Sequence, residues 1–220
     1  MSDDDDVPGV PRALLDYVGA HAPGDDAFLR ELKEAAREAG IPAIWIGPAQ
    51  ACLLQVLLRA AGAREVVEVG TLAGYSAIVM ARALPADGRV RTIELDPRHA
   101  AFARAQAARS DVAGRVEVLE GAGADVLAGI ADESCDALFV DADKAGYPTY
   151  LREGLRILRP GGLVLVDNAF AFGRLLDEGC ADEDVAAVRA FNDELARTPG
   201  LQAVIVPLGD GTWVGVKRGA

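Results

Sequence analysis

Apolar and polar positions recur along the chain with two different periods, which distinguish predicted helices from predicted strands. Apolar residues spaced three and four apart predict helices over residues 12–20, 26–39 and 48–61. From residue 64 onward, short runs rich in branched apolar residues alternate with helical segments. The predicted strands are Arg64–Val69, Val90–Leu95, Val116–Leu119, Ala137–Val140 and Leu163–Val166, and the helices between them are Tyr75–Leu84, Pro97–Arg109, Ala124–Ile130 and Tyr147–Leu158. This alternation predicts an α/β fold with a doubly wound, mainly parallel sheet.

The last forty residues follow a different order. An amphipathic helix predicted over Asp182–Arg197 precedes two strands, Leu201–Val206 and Thr212–Lys217. The short, glycine-containing loop between the strands predicts an antiparallel hairpin. We expect one domain over residues 11–220, with the N-terminal helices (about residues 12–61) packing on or over the site. The like-charge run in residues 1–10 predicts a disordered acidic tail.

The composition narrows the possible partners. The formal net charge is −12, which disfavours a nucleic-acid backbone as the main partner, because binding phosphates requires a basic surface. The three cysteines, Cys52, Cys135 and Cys180, have no C-x-x-C spacing, so we expect neither a disulfide framework nor a thiolate metal site. The N-terminal segment lacks the apolar stretch of a signal peptide, and no apolar run reaches the roughly 18 residues of a membrane helix. We therefore expect a cytoplasmic protein without a membrane partner.

Polar residues just after a predicted strand are candidates for a site, because ligands of such sheets lie beyond the carboxyl ends of the strands. The first candidates lie in VVEVGTLAGYS, where Glu68 is near a strand end and Gly70 and Gly74 flank the turn into a helix. Such glycines let the backbone approach a ligand, and Glu68 could bind an ammonium group. The spacing is G-x-x-x-G and not the G-x-G-x-x-G of a nicotinamide site. A tight turn without a ligand fits this pattern about equally well.

The second candidate is Glu94 in RTIELD, at the end of the second predicted strand and 24 residues after Gly70. An acidic residue at about this separation can accept hydrogen bonds from both ribose hydroxyls of a nucleoside. Asp96 directly precedes Pro97, which is typical of a helix N-cap. We therefore assign the ribose to Glu94 and the helix cap to Asp96.

The third group of candidates follows two successive strands. Asp141 follows one strand, and Asp167 and Asn168 follow the next, so parallel pairing would direct all three toward one place. Ligation by oxygen atoms alone selects a hard cation such as Mg²⁺, Ca²⁺ or Mn²⁺. The alternative is that the two aspartates are turn or cap residues. Lys144 lies three residues after Asp141, and its alternative role is a surface ion pair with Asp143.

Together these stretches resemble the class I S-adenosylmethionine-dependent O-methyltransferases, and within them the cation-dependent caffeoyl-CoA/catechol O-methyltransferase group. The resemblance covers about residues 46–217. It is carried by IGPAQACLLQVLL, VVEVGTLAGYSAIVMARALPADGRV, IELD, FVDADKAGY, GGLVLVDN and PLGDG. The combination of VDADK, DN and GDG at these separations is its specific part. The resemblance implies a seven-stranded, Rossmann-like methyltransferase sheet ending in the antiparallel hairpin, and a homodimer.

The resemblance also implies roles for individual residues. Those implied to bind S-adenosylmethionine are Glu68, Gly70, Thr71, Ser76, Glu94, Gly123 and Asp143. Those implied to bind the divalent cation, Mg²⁺ before Ca²⁺ or Mn²⁺, are Asp141, Asp167 and Asn168. Lys144 is implied as the general base, and Asp141 acts with it in catalysis.

The activity implied by the resemblance is cation-dependent methyl transfer from S-adenosylmethionine to a hydroxyl of a small catechol-like phenol. A phenol has a pKa of about 10, and coordination to a cation lowers it. Phe170 and Phe172 follow the DN pair where relatives often carry polar or basic residues, which predicts an apolar pocket and disfavours a CoA thioester. Trp45 and Trp213 are further candidates for the pocket wall, although packing in the core is the commoner role for tryptophan.

Two other functions stay open at this point. One is methyl transfer to a hydroxylated tRNA base, against which the net charge of −12 argues. The other is a non-catalytic S-adenosylmethionine-binding protein, which would need neither a cation nor Lys144.

Overall fold

The computed structural model describes residues 12–219, so the predicted acidic tail lies outside the described residues. The helices are α1 (Arg12–His21), α2 (Ala27–Glu38), α3 (Pro48–Ala60), α4 (Tyr75–Ala83), α5 (Pro97–Arg109), α6 (Gly123–Ala128), α7 (Tyr147–Ile157) and α8 (Glu183–Ala196). The strands are β1 (Glu65–Val69), β2 (Arg89–Glu94), β3 (Val116–Glu120), β4 (Cys135–Val140), β5 (Leu158–Val166), β6 (Leu201–Val206) and β7 (Thr212–Lys217). A 3₁₀ turn, Lys144–Gly146, connects β4 to α7.

The strands form one seven-stranded sheet in the order β3-β2-β1-β4-β5-β7-β6. Strands β1 to β5 run parallel, whereas β7 is antiparallel to both β5 and β6. The predicted doubly wound, mainly parallel sheet and its C-terminal antiparallel hairpin are therefore confirmed. The chain crosses from one side of β1 to the other between β3 and β4, and the tips of β1 and β4 mark this switch point, where ligands of open α/β sheets bind.

Helices cover both faces of the sheet. Because side chains alternate along a strand, Val66 and Val67 of β1 point to opposite faces. Val66 lies in one buried apolar cluster with residues of α2, α3 and α4. Val67 lies in a second cluster with residues of α6, α7 and α8. Each cluster buries the apolar side of the helices and holds the strand tips in fixed positions.

Local signals determine where the helices near the strand tips begin. Pro48 and Pro97 occupy the first positions of α3 and α5, where a missing N–H has no cost. The Asp96 side chain accepts a hydrogen bond from the backbone N–H of Arg98 at 2.7 Å, which confirms its role as a helix cap. These caps place the first turns of α3 and α5 beside the carboxyl ends of the strands.

Several predicted boundaries differ from the structure by one to five residues, and two of these errors have a clear local cause. Leu158 begins β5 instead of ending a helix, because it pairs with Cys135 of β4. The helix predicted to reach Ile130 ends at Ala128, because Gly129 forms its C-cap. Both errors lie at the end of the sheet away from the candidate site.

Candidate active site

Three strand tips bring the candidate residues together at one edge of the sheet. The register aligns Val69 with Val140 and Val140 with Val166, the last residues of β1, β4 and β5. The backbone N–H of Asp141 donates to the carbonyl of Val69, and that of Asp167 donates to the carbonyl of Val140, both at 2.9 Å. Asp141 and Asp167 therefore occupy neighbouring positions just beyond the sheet.

A cavity of about 650 Å³ opens beyond these tips. Its β1–β2 end is formed by residues 70–76, Glu94 and residues 121–123, and its β4–β5 end by Asp141, Lys144, Asn168, Phe172 and Asp184. The sequence-derived candidates that line it are Gly70, Thr71, Ser76, Glu94, Gly123, Asp141, Asp143, Lys144 and Asn168. Two other candidates, Glu68 and Asp167, lie behind the wall with 0% and 5% of their surface exposed.

Two glycines allow the backbone itself to form the cavity wall. Gly70 has a φ of +97°, and a Cβ there would collide with the backbone carbonyl of Asp141. A Cβ at Gly123 would lie 2.8 Å from both Val69 and Tyr150, which is closer than real Cβ contacts. The turn after β1 and the start of α6 can therefore pack tightly only without side chains at these positions.

Glu94 connects the tip of β2 to the turn after β1. Its Oε2 accepts hydrogen bonds from the backbone N–H groups of Thr71 at 3.2 Å and Leu72 at 2.7 Å. Its Oε1 accepts one from the N–H of Asp96 at 2.9 Å, and Nδ1 of His99 lies 3.8 Å from the same oxygen. The carboxylate is thus fixed in orientation while it lines the cavity.

Glu68 is a buried acid without a fixed partner. Neither of its carboxylate oxygens has a hydrogen-bond partner among the described residues. Burial raises its pKa to about 8, although the nearby hydroxyls of Ser76 and Thr92 act in the opposite direction. A buried acid of this kind beside a cavity favours a positively charged ligand at the β1–β2 end, because a nearby positive charge would stabilise the carboxylate.

Asp141 and Asp167 form a pair of neighbouring carboxylates. Burial raises the pKa of both, and the charge of Asp141 also helps to raise the pKa of Asp167, to about 7. Gln50 of α3 donates from Nε2 to Oδ1 of Asp167 at 2.7 Å and to Oγ1 of Thr212 at 3.1 Å. Helix α3 therefore fixes one oxygen of Asp167 through an amide that carries no charge.

Lys144 lies in the 3₁₀ turn with only 6% of its surface exposed. Its Nζ donates to the carbonyl of Ala142 at 2.9 Å, to the hydroxyl of Tyr147 at 2.7 Å and to Oδ1 of Asn168 at 2.6 Å. Its distance to Oδ1 of Asp141 is 3.7 Å. Burial lowers the pKa of Lys144, and the nearby aspartates oppose that shift. The amine is thus held at the β4–β5 end of the cavity.

Asp143 makes a different contact from the surface ion pair considered above. Its Oδ1 accepts a hydrogen bond from the hydroxyl of Tyr150 at 2.6 Å. The Tyr150 ring also fills the space where a Cβ of Gly146 would lie. The surface pairing of Lys144 with Asp143 is therefore wrong, and Asp143 lines the cavity with Tyr150 beside it.

Asp210, in the loop between β6 and β7, orders the segment that follows β5. Its Oδ2 accepts from Nδ2 of Asn168 at 3.1 Å and from the backbone N–H of Phe172 at 2.7 Å, and its Oδ1 accepts from the N–H of Gly173 at 3.0 Å. Asn168 and Phe172 have positive φ values of 62° and 59°, which side chains seldom adopt without such support. By binding Nδ2, Asp210 turns Oδ1 of Asn168 toward Lys144.

The oxygen atoms at the β4–β5 end fit a hard divalent cation. Asp141 and Asp167 supply two carboxylates and Asn168 supplies an amide oxygen, all donor types that Mg²⁺ and Ca²⁺ prefer. Within residues 12–219, no group of three His, Cys, Asp or Glu side chains is arranged to hold a metal ion, so the third protein ligand would have to be this amide. Burial raises the pKa of both aspartates, and the charge of Lys144 acts in the opposite direction, as a bound cation would.

The two tryptophans differ in their position. Trp45 lines the cavity, and the cationic groups of Lys33 and Arg37 lie 5.6 and 5.2 Å from its ring. Trp213 does not line it; its Nε1 donates to Oδ1 of Asn192 at 2.7 Å inside the second apolar cluster. The expectation of core packing therefore holds for Trp213, whereas Trp45 does both: it lines the cavity and packs, partly buried, against the first apolar cluster.

Several cavity residues carried no recognisable motif. His99 and Asp184 line the cavity from the first turns of α5 and α8. Both helices begin near the carboxyl ends of the strands, so their first turns could have been searched for polar residues. The contacts of Gln50 and Asp210 depend on the three-dimensional packing of loops, for which the sequence offers no comparable signal.

Comparisons with known proteins give a consistent result. A family model described as O-methyltransferase matches residues 20–218. A catechol O-methyltransferase of Niastella koreensis is 40% identical over 95% of this chain and 92% of its own length. A putative O-methyltransferase of Mycobacterium tuberculosis is 36% identical over 97% of this chain and 96% of its own.

Two solved structures are similar along nearly the whole chain. The O-methyltransferase from Bacillus cereus in complex with SAH has a TM-score of 0.84 at 34% identity, covering 94% of this chain and 97% of its own. An O-methyltransferase from Streptomyces achromogenes, involved in tomaymycin synthesis and solved with SAM, has a TM-score of 0.82 at 34% identity. It covers 94% of this chain and 96% of its own.

Proposed function

This chain belongs to the S-adenosylmethionine-dependent O-methyltransferase family, and we propose that it methylates a hydroxyl of a small catechol-like phenol with the help of a divalent cation. The observation that carries the proposal is the neighbouring pair Asp141 and Asp167, with Lys144 and the amide oxygen of Asn168 at the same end of the cavity. A binding protein for the cofactor alone would have no use for this group of side chains.

The β1–β2 end of the cavity binds S-adenosylmethionine, which supplies the methyl group. Glu94 accepts hydrogen bonds from the ribose, since its carboxylate is oriented by backbone N–H groups and lines the cavity. The backbones at Gly70 and Gly123, with Thr71 and Ser76 near the first of them, form the wall beside the cofactor. Asp143 contacts its amino end, and the buried Glu68 carboxylate favours its positive charge.

Asp141, Asp167 and Asn168 hold the divalent cation, for which Mg²⁺ is our first choice and Ca²⁺ or Mn²⁺ the alternatives. A bound cation of this kind lowers the pKa of a coordinated phenol and fixes the position of its oxygen. Gln50 and Asp210 orient two of these ligands through the hydrogen bonds described above. The chain itself therefore determines which oxygen atoms face the cation.

Lys144 takes the proton of the acceptor hydroxyl at Nζ. Because burial lowers its pKa, a neutral amine is more accessible here than on an exposed lysine. Asp141, 3.7 Å away, stabilises the ammonium group that results. Phe172 and Trp45 give the cavity apolar surface that suits an aromatic acceptor and excludes water.

The test is methyl transfer from radiolabelled S-adenosylmethionine to 1,2-dihydroxybenzene and, separately, to phenol. Each reaction is run with Mg²⁺, with EDTA, and with EDTA followed by excess Mg²⁺. The same assays are run on Asp141→Asn and on Asp193→Asn, a control aspartate on the exposed side of α8. We expect turnover of the dihydroxy compound that EDTA abolishes, that Mg²⁺ restores, and that only Asp141→Asn removes.

Other results would change the proposal in defined ways. Activity that is unaffected by EDTA would show that the reaction does not need a divalent cation. Equal turnover of phenol would show that the second hydroxyl has no role. Binding of the cofactor without turnover of either compound would exclude catechols as acceptors.

We propose in addition a homodimer in the cytoplasm that has neither a membrane nor a nucleic acid as partner. Helix α1 exposes an apolar surface, formed by Leu14, Leu15, Tyr17 and Val18, which a second copy of the chain could cover. Within residues 12–219, the helices are too short or too polar to span a bilayer. Light scattering of the protein and of a Leu14→Ser, Val18→Ser double variant tests the dimer, which the variant should dissociate.

A further inference from the structure

Acidic side chains outnumber basic ones along the wall of the cavity. The cavity as a whole is lined by four acids, Glu94, Asp141, Asp143 and Asp184. Its only cationic side chain from a lysine or arginine within the described residues is Lys144. The chain's own side chains therefore make the cavity lining mostly negative, and positive charge beyond Lys144 would come from the proposed cation and the cofactor.

Three of these acids have partners within the structure. Glu94 accepts three backbone hydrogen bonds, and Asp143 accepts one from Tyr150. Asp141 lies beside Lys144. The charges of these acids are thus already used to hold the site together.

Asp184 differs from the other three. Within residues 12–219 its carboxylate makes no hydrogen bond or ion pair, although its backbone N–H donates to Oδ1 of Asp182 at 2.9 Å. The side chain is exposed and lines the cavity from the first turn of α8, within electrostatic reach of Lys144. Arg174, which pairs with the cap residue of α8, Asp182, at 2.8 Å, does not line the cavity.

The N-terminus of a helix attracts anions, so α8 could in principle favour a negatively charged acceptor. In this chain the first turn carries its own acids, Glu183 and Asp184, and Asp182 caps the helix. These carboxylates offset the positive end of the helix. The exposed part of the cavity rim is therefore left with net negative charge.

We infer that Asp184 makes the acceptor site selective against anionic phenols, so that a catechol whose side chain is neutral or carries an ammonium group is preferred over one with a carboxylate. This inference rests on the proposed function, because it concerns the acceptor of the same site. It follows from the position of one unpaired carboxylate at the rim of a cavity without a free cationic partner. The acceptor's hydroxyls lie at Lys144, and its substituent extends toward Asp184.

The test compares three catechols of similar size: 4-methylcatechol, 4-(2-aminoethyl)catechol and 3,4-dihydroxyphenylacetate. The value of kcat/KM for each charged compound is divided by that for the neutral one, measured on the same protein. For one charge at a solvent-exposed rim we expect the ammonium compound to exceed the carboxylate by roughly three- to tenfold. Raising the ionic strength to 1 M should shrink this ratio toward one, because salt screens exposed charges.

Two variants assign the effect to its source. Asp184→Asn should reduce the ammonium-to-carboxylate ratio toward one. Glu183→Gln removes the same charge from the neighbouring residue, which is exposed but does not line the cavity, and should keep the ratio. A ratio near one in the unmodified protein, or a ratio that Asp184→Asn leaves unchanged, would overturn the inference. So would an equal loss in both variants.

The neutral compound separates this inference from the proposed function. If 4-methylcatechol is methylated and the charged compounds are not distinguished, the inference about Asp184 is wrong and the proposed function stands. If 4-methylcatechol is not methylated under any condition, both are wrong. Trp45 lines the cavity, so the change in tryptophan fluorescence on adding each catechol reports binding. Measured with SAH in place of the methyl donor, it repeats the comparison without turnover.

Discussion

The two ends of the cavity are built on different physical principles. At the β1–β2 end, Glu94 is surrounded by backbone N–H donors, and glycines let the main chain form the cavity wall. At the β4–β5 end, the buried Asp167 lies next to the partly buried Asp141, and Lys144 is 3.7 Å from Asp141. At the first end the protein satisfies Glu94 and leaves only the buried Glu68 without a hydrogen-bond partner, whereas the second end places two carboxylates beside one lysine.

This difference shows which end depends on an additional ligand. A carboxylate that accepts several backbone hydrogen bonds is stable without a partner ion. Burial raises the pKa of Asp141 and of Asp167, the charge of Asp141 adds to the rise at Asp167, and a bound cation would lower both. We therefore expect changes at the β4–β5 end to affect turnover, and changes at the β1–β2 end to affect cofactor binding.

The largest effect is expected for Lys144→Met, which removes the amine and retains an unbranched side chain. Loss of a general base lowers kcat by roughly 10²- to 10⁴-fold. Because Lys144 belongs to the β4–β5 end, the dissociation constant for SAH should change by less than about threefold. Radiolabel transfer gives the first quantity and isothermal titration calorimetry the second.

Lys217→Met is the matched control for Lys144→Met. Lys217 lies at the far end of β7, where Nζ donates to the carbonyl of Leu158 at 2.7 Å. Its replacement should leave kcat within about twofold of the unmodified protein. A variant of Lys144 that retains full turnover would show that another group or water accepts the proton.

The next effect concerns Glu68 and the dependence of stability on pH. Its pKa is raised from 4.5 to about 8, chiefly by burial. Between pH 4.5 and pH 8 the folded protein therefore keeps a proton on Glu68 that the unfolded chain has lost. The contribution of Glu68 to the free energy of unfolding is complete below pH 4.5 and is lost as the pH rises toward 8. In Glu68→Gln that decline is absent, which corresponds to at most about 5 kcal/mol between pH 4.5 and pH 8.

The measurement is the free energy of unfolding in urea between pH 5 and pH 8.5 for both proteins. Asp167, whose pKa is also raised, contributes equally to both curves, so the difference between them isolates Glu68. Glu117→Gln, an exposed position on β3, is the control and should not change the slope. Parallel curves for the unmodified protein and Glu68→Gln would mean that Glu68 is ionised in the folded protein.

Much of the β1–β2 end could be predicted from the sequence because its contacts are short in sequence. Glu94 reaches Thr71 and Leu72 across one helix and one strand, and the alternation of strand and helix determines that register. Gly70 was recognisable since a strand-to-helix turn requires a residue without a side chain. The same pattern predicted the order of the elements and the antiparallel hairpin.

The supports of the β4–β5 end could not be predicted in this way. Gln50 contacts Asp167 across 117 residues, and Asp210 contacts Asn168 across 42. Such contacts depend on how a helix and a hairpin loop pack against the strand tips, which periodicity does not encode. The sequence also left Lys144 open between a general base in the site and a surface ion pair with Asp143, and the structure places it in the buried position.

A smaller effect is expected for Glu94→Gln. The amide keeps the size of the side chain but has only one acceptor oxygen, so one of the backbone N–H groups of Thr71, Leu72 or Asp96 loses its partner. Loss of one charge-assisted hydrogen bond corresponds to about 2 kcal/mol. The dissociation constant for SAH should therefore rise by roughly tenfold or more.

Calorimetry with SAH tests this, and calorimetry with Mg²⁺ in the presence of SAH provides the contrast. At saturating cofactor, the affinity of Glu94→Gln for Mg²⁺ should match that of the unmodified protein, because the proposed cation ligands lie at the other end. A loss of Mg²⁺ affinity as large as the loss of SAH affinity would show that the two ends are not independent.

The smallest effect is expected for Asp210→Asn, which tests whether the loop after β5 belongs functionally to the β4–β5 end. An asparagine can still accept one hydrogen bond there, but its NH₂ group then faces donors, namely Nδ2 of Asn168 or the N–H of Gly173. We expect the ordered conformation of this loop to be about 1 kcal/mol less stable. The KM for the catechol and the dissociation constant for Mg²⁺ should each rise by about fivefold, with SAH binding unchanged. Hydrogen exchange provides an independent measurement. The amides of Phe172 and Gly173 should exchange faster, while the β1–β2 end stays protected. Unchanged exchange with a raised KM would instead assign the effect to the lost charge of Asp210, which acts electrostatically on Asp141 and Lys144.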